Sequence, residues 1–176
     1  MTNLPNSAVL ARIDLLILDV DGVLTDGKII LTPGGDEIKE FHARDGAGMK
    51  YWRRVGKKLA VISGRGSPAV SRRLADLGVD TYRTMALDKV PALRSVLAEL
   101  NITADRTAVI GDDLPDLPLL RTCALPIAVA DAVPELHEVA TYITKLPGGQ
   151  GAVREAIEMI LRPTGLWAKI LERYSL

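Results

Sequence analysis

The stretch that most limits what this chain can become is residues 13–27, Ile-Asp-Leu-Leu-Ile-Leu-Asp-Val-Asp-Gly-Val-Leu-Thr-Asp-Gly. Leu15 to Leu18 is an apolar run too short for a helix of its own. Apolar on both faces, it predicts a buried strand in the middle of a parallel sheet. The strand runs directly into Asp19 and Asp21, and Gly22 then breaks it. Strand side chains repeat every two residues, so the two aspartates start out on the same side. Carboxylates that close repel each other and are costly to desolvate, and a divalent cation relieves both effects. Asp-Gly pairs are also common in turns. Taken alone, the stretch reads more readily as a polar turn than as a site, and the rest of the chain decides.

A strand covered on both faces needs a sizeable chain around it. With 176 residues this one is long enough for a single domain with a substantial core. We expect that domain over residues 1–162, with a hairpin flap at about 28–41, and a separate tail at 163–176. Lysine plus arginine and aspartate plus glutamate both number 22. The net charge of zero leaves no bulk electrostatic case for nucleic acid or an anionic membrane. Aromatic residues are only 4 %, which supplies no stacking platform for single strands. Cys123 is the only cysteine and lies in an apolar stretch, which predicts a small core residue. The opening Met-Thr-Asn-Leu-Pro-Asn-Ser has no basic segment followed by a long apolar one, so no signal peptide is expected. No apolar run approaches the ~20 residues that span a bilayer. Cytoplasmic residence is the default expectation.

Along the chain, Ser7–Arg12 predicts a short helix before the first strand. Residues 28–31 and 37–41 flank Thr32-Pro33-Gly34-Gly35-Asp36, the pattern of a β-hairpin placed to project beside the aspartate pair. Asp45 is expected to cap a helix running to about Val55, with Met49, Trp52 and Val55 as its apolar stripe. A regular alternation follows. Lys58–Ile62 predicts a strand, and Ser67-Pro68 a helix start that runs to Leu77 and stops at Gly78. Val79–Tyr82 predicts a strand. Asp88 should cap a helix with Val90, Leu93, Leu97 and Leu100 at helical spacing. Thr107–Ile110 predicts a strand ending in Gly111-Asp112-Asp113, and Leu114–Arg121 a short helix despite two prolines. Leu125–Val129, Val133–Val139, Tyr142–Ile143 and Gly151–Leu161 predict strand, helix, strand and helix. In the tail, Leu166, Trp167, Ile170, Leu171 and Tyr174 form one helical face that needs something to pack on.

This order implies an α/β fold, a Rossmann-like three-layer arrangement of a central parallel sheet with helices on both faces. Ligands of such sheets bind at the carboxyl ends of the strands, and the polar residues of note gather there. Asp19, Asp21 and Asp112 are hard oxygen ligands suited to Mg²⁺, and no His/Cys cluster argues for zinc. His137 looks like a surface helix residue. Ser63, the Gly64 backbone and Arg65 precede a helix start, a natural place for phosphate, and Lys89 heads another helix with a positive charge. Each has a bland alternative as a turn cap or a solvated charge. Together they are the parts of phosphoryl transfer through an aspartyl-phosphate.

Asp19-Val20-Asp21-Gly22-Val23-Leu24-Thr25, Ile62-Ser63-Gly64-Arg65, Lys89 and Gly111-Asp112-Asp113-Leu114-Pro115-Asp116 resemble the four motifs of the haloacid dehalogenase (HAD) superfamily of phosphatases. The resemblance is closer still to the 3-deoxy-D-manno-octulosonate 8-phosphate phosphatase branch. It rests there on Val-Leu-Thr-Asp-Gly after the aspartate pair, a hairpin in place of a cap domain, residues 41–46 and residues 148–155. It implies that Asp19 attacks phosphorus and ligates Mg²⁺. Asp21 protonates the leaving sugar oxygen, activates water, and ligates the metal through its backbone carbonyl. Asp112 is then the second metal carboxylate, and Ser63, Gly64 and Lys89 hold the phosphoryl group. It further places His42, Ala43, Arg44, Asp45, Gly46, Lys50, Arg65 and Arg73 around the substrate. It implies a homotetramer whose hairpins assemble together, with Arg154 or the tail reaching an adjacent site. The expected role is hydrolysis of a sugar acid phosphate in lipopolysaccharide precursor biosynthesis. His42, Lys50 and Met85 stand where Asn, Arg and Gly are commoner in the family, and the first two bear on the sugar.

Three other readings stand beside this one. A nine-carbon sialic-type sugar acid 9-phosphate keeps the chemistry and changes the substrate. A phospho-accepting receiver module also puts aspartates around Mg²⁺ at strand ends, but it lacks an acid partner such as Asp21. A catalytically silent assembly subunit has no use for the intact set of Asp19, Asp21, Ser63, Lys89 and Asp112.

Overall fold

The computed structural model describes residues 5–175. The outermost residues of the expected lead-in (1–4) and of the tail (176) lie outside the described residues. The strand predicted at the centre is there. β1 (Leu15–Leu18) is buried along its whole length. It pairs in parallel with β4 (Lys58–Ile62) on one side and β6 (Thr107–Gly111) on the other. With β5 (Thr81–Arg83), β7 (Leu125–Ala128) and β8 (Tyr142–Ile143), these make one parallel sheet in the order β5-β4-β1-β6-β7-β8. Leu18 is level with Val61 and Ile110. That register brings the residues just beyond each strand, Asp19, Ser63 and Asp112, to one edge of the sheet.

Helices α1 (Ser7–Arg12), α2 (Ala43–Arg54), α3 (Pro68–Leu77), α4 (Lys89–Leu100), α5 (Leu117–Thr122), α6 (Pro134–Val139) and α7 (Ala152–Leu161) flank the sheet, and α8 (Leu166–Leu171) lies in the tail. α3 starts and stops as predicted. The Ser67 hydroxyl accepts from the Val70 N–H, Pro68 opens the helix, and Gly78 closes it in the left-handed region. The Asp88 carboxylate caps α4 through the Val90 N–H. The buried face of α4 is Lys89, Ala92, Leu93 and Val96. Of the predicted stripe only Leu93 is fully covered, because the helix is turned so that Lys89 joins its inner face.

Other boundaries shift in ways with a physical reason. The paired part of the hairpin is only β2 (Ile30–Leu31) with β3 (Glu37–Ile38), closed by a Thr32 N–H to Asp36 C=O bond of 2.8 Å. Asp45 does not cap α2. The helix begins at Ala43, and the Asp45 carboxylate instead accepts from the N–H groups of Gly151 and Arg154 at 3.1 and 2.7 Å. It therefore caps α7, a partner far away in sequence that helix-start patterns do not reveal. In the tail, Trp167 and Ile170 are buried while Leu171 and Tyr174 stay exposed. The Trp167 ring meets Tyr51 of α2 edge-on at 5.8 Å. The Arg154 guanidinium stands 4.9 Å from both ring centres, an arrangement that adds cation–π attraction to apolar burial. His137 is half-buried, its Nε2 lying 3.1 Å from the Val129 carbonyl, and not on the free surface expected for it.

Candidate active site

The site begins with the turn after β1. The N–H groups of Val23, Leu24 and Thr25 all donate to the Val20 carbonyl at 3.3, 2.9 and 3.0 Å. Gly22 has φ +92°, where an L side chain is strained. The space a Cβ would need there is filled by the Asp112 carboxylate. The loop before α7 packs on the same turn. The Gly149 N–H donates to the Val23 carbonyl at 2.9 Å, and a Cβ on Gly148 would overlap the Gly22 carbonyl. The late glycine motif thus lets a distant loop lie against the backbone that carries the two aspartates.

Asp19 is buried and accepts a hydrogen bond from Lys89 Nζ at 2.8 Å. The same ammonium donates to Asp116 Oδ1 at 2.6 Å. Burial, then the neighbouring Asp116 charge, raises the Asp19 carboxyl above its ordinary range, and Lys89 opposes that rise. Burial also raises Asp116, with Lys89 again acting against it. Burial alone would lower the Lys89 ammonium, but Asp19 and Asp116 outweigh it and hold the lysine above its usual value. Asp112 is pushed up to about 8 by burial and by the charges of Asp19 and Asp116.

These shifts describe a site short of positive charge. Asp19, Asp112 and Asp116 each offer a carboxylate oxygen, all within 4.8 Å of one another, and Lys89 bonds only two of them. Among the described residues Asp112 has no ion-pair partner. An oxygen-only, anionic donor set of this kind fits a hard divalent cation.

The carboxylates open into a cavity of about 190 Å³ that is also lined by Asp21, Ser63, Gly64 and Arg65. Ser63 is buried at the end of β4, and its Oγ accepts from the Arg65 N–H at 3.3 Å. The hairpin reaches the same place. Lys39 Nζ is bonded to Asp21 Oδ1, and Glu37 Oε1 takes Lys39 Nζ and Arg65 Nη2 at 3.1 Å each.

The remaining expected substrate residues lie outside this cavity in the single chain. Arg44 and Arg154 line a second cavity of about 430 Å³ with Gln150 and Gly151. His42 borders a third with Phe41 and Gln150. Arg73 stacks on Phe41 at 5.7 Å and lies against Gly46. Ala43 and Lys50 are exposed on α2, and Asp45 is buried as the α7 cap. Three residues to which the sequence assigned no role bear on the site: Asp116 lines the cavity, and Glu37 and Lys39 reach Asp21 and Arg65 from the hairpin. The signal for Asp116 is its place at the end of the Gly111-Asp112-Asp113-Leu114-Pro115-Asp116 motif. Glu37 and Lys39 alternate around Ile38, which puts both on one face of the hairpin strand.

Residues 85–157 match the haloacid dehalogenase-like hydrolase family. The chain is 42% identical over 156 residues to the 3-deoxy-D-manno-octulosonate 8-phosphate phosphatase KdsC of Haemophilus influenzae, covering 89% of this chain and 87% of that one. It is 41% identical over 154 residues to KdsC of Escherichia coli K12, covering 88% and 82%. In structure it is similar to the 3-deoxy-D-manno-octulosonate 8-phosphate phosphatase from Moraxella catarrhalis, solved with magnesium, phosphate and the sugar acid. The TM-score is 0.93 at 37% identity, over 96% of this chain and 97% of that one. The chain belongs to the haloacid dehalogenase superfamily, in its 3-deoxy-D-manno-octulosonate 8-phosphate phosphatase branch.

Proposed function

We infer that this chain is a Mg²⁺-dependent phosphatase that converts 3-deoxy-D-manno-octulosonate 8-phosphate and water to the free sugar acid and phosphate. The observation that carries the reading is the convergence of Asp19, Asp21, Ser63, Lys89 and Asp112 on one cavity at the carboxyl edge of the sheet. The identity to curated relatives supplies the substrate.

In this reading an Asp19 oxygen attacks phosphorus and the bond to the sugar oxygen breaks, while Asp21 gives that oxygen a proton. Asp21 then takes a proton from water, whose oxygen attacks the phospho-aspartate and restores Asp19. Lys89 keeps Asp19 ionised and oriented through the 2.8 Å bond. Ser63 Oγ and the Gly64 backbone hold the phosphoryl oxygens, in the manner of charge-stabilising donors placed before reaction. Asp19, Asp112 and the Asp21 carbonyl would hold Mg²⁺, which when bound neutralises charge on the transferring group. Asp116 anchors Lys89 and the Asp112 backbone, through bonds of 2.6 and 3.3 Å.

The same reading includes a homotetramer in the cytoplasm. It is supported by the hairpin, where Ile29, Ile30, Leu31 and Ile38 are all exposed, a concentration of apolar side chains unusual on a monomer. Among the described residues no helix is long and apolar enough to cross a membrane. Assembly of hairpins would bring a neighbour's surface to the open cavity, and with it the basic residues, Arg154 among them, that lie outside it in one chain.

The test is turnover of a panel of sugar phosphates with Mg²⁺. Preference for the eight-carbon 3-deoxy-2-keto acid 8-phosphate is expected. A preference for the nine-carbon 9-phosphate would move the substrate assignment, and no hydrolysis of any sugar acid phosphate would overturn it.

A further inference from the structure

The hairpin holds two of the side chains that line the cavity, Asp21 and Arg65. Its side chains Glu37 and Lys39 turn inward while Ile38, between them, faces out. The Lys39 side chain is only 1% exposed, although it directly follows a short, two-stranded surface ribbon. Lysine is seldom covered unless its ammonium is paired. Here it is bonded to Asp21 Oδ1 and lies 3.1 Å from Glu37 Oε1. Glu37 in turn takes Arg65 Nη2 at 3.1 Å, and Arg65 Nε stands 3.7 Å from Asp21 Oδ2. The Asp21 carboxylate is therefore held from two sides, by Lys39 on one oxygen and more loosely by Arg65 on the other.

We propose that Lys39 is a positioning residue for the proton-transferring carboxylate. By occupying Oδ1 it fixes the Asp21 rotamer and leaves Oδ2 as the oxygen that meets the leaving group, with Glu37 keeping Lys39 and Arg65 in place. The proposal rests on the phosphatase reading above. It gives the hairpin a part inside its own chain's site, whatever the hairpin packs against outside. A carboxylate free to turn among staggered rotamers spends part of its time out of reach, and misplacement of an acid is costly in rate.

The leaving group separates this role from a merely structural one. A sugar alkoxide needs a proton to depart, whereas p-nitrophenolate departs without one. For Lys39→Met, kcat/KM on the sugar acid phosphate should fall by about 100-fold, the low end of what general acid catalysis contributes, and by only about threefold on p-nitrophenyl phosphate. Lys39→Arg should recover most of the loss, because it restores the charge. In an Asp21→Asn background, Lys39→Met should cost less than about twofold, since residues acting through one group are not additive. Equal losses on both substrates, full additivity with Asp21→Asn, or no loss at all would each overturn the proposal. A crystal structure of Lys39→Met tests it without turnover. Asp21 should leave its present rotamer, and an unmoved Asp21 carboxylate would contradict the proposal even if the substrate assignment were wrong. Hydrolysis of no phosphate monoester by the unaltered protein would instead overturn the phosphatase reading, and the Asp21 rotamer in that crystal structure would still decide whether Lys39 positions the carboxylate.

Discussion

Asp112 shows how much of the chemistry is written in single residues. It lies against Gly22, shares its surroundings with Asp19 and Asp116, and has its carboxyl raised from 3.8 to about 8. A carboxyl whose folded value lies above its unfolded one binds more protons in the folded protein between those two values. Stability of the metal-free protein is therefore present in full below the unfolded value and lost as pH rises toward 8. We predict that the melting temperature without metal falls between pH 5 and pH 8, that Mg²⁺ raises it more at pH 8 than at pH 5, and that Asp112→Asn flattens the fall. A scan in chelator and in Mg²⁺ at the two pH values checks this. An equal shift at both would mean that the carboxylates are not the group that the cation relieves. Asp19, Asp21, Ser63, Lys89 and Asp112 are legible in the sequence because each ends an apolar run or starts a helix with clear capping. Asp116 is less so, since its helix is short and interrupted by prolines. Lys39 is not legible at all, because alternation in a short hairpin shows a shared face without showing what that face meets.

Among the elements, the turn after β1 and the loop before α7 depend on each other. Gly149 bonds the Val23 carbonyl at 2.9 Å, and Gly148 approaches Gly22 more closely than any side chain permits. Gly148→Ala forces a methyl group against the Gly22 backbone. It is predicted to cost about 1–3 kcal/mol of stability, the range for overpacking, and to lower kcat through the aspartates on that turn. Chemical denaturation and steady-state kinetics on the same sample check both effects. Wild-type stability and rate in that variant would show that the loop is free to move away. The strand and helix order is readable from hydrophobic period together with capping residues such as Ser67 and Asp88. The capping of α7 by Asp45 is not readable, because it joins residues separated by more than half the chain. The stacking of Arg154 between Tyr51 and Trp167 arises the same way, from tertiary contact between α2, α7 and the tail.

For the whole molecule, a parallel sheet with β1 at its centre gathers charge at one edge, and a small hairpin stands beside that edge. The hairpin's exposed Leu31, at 64%, and its isoleucine neighbours make an assembly surface in the proposed oligomer. Leu31→Ser with Ile38→Ser is predicted to shift the protein from tetramer toward monomer in analytical ultracentrifugation. It should reduce turnover while leaving the melting transition of the chain close to its original value. A monomeric unaltered protein with full activity would remove the assembly from the proposal. The central claim, covalent phosphoryl transfer to Asp19, is tested most directly by rapid acid quench. Substrate labelled in the phosphate is mixed with excess enzyme and Mg²⁺, and the protein is digested. The expected result is label on the peptide carrying Asp19, rising before free phosphate and decaying into it. Release of phosphate at the full rate with no labelled protein, or label on another residue, would contradict it.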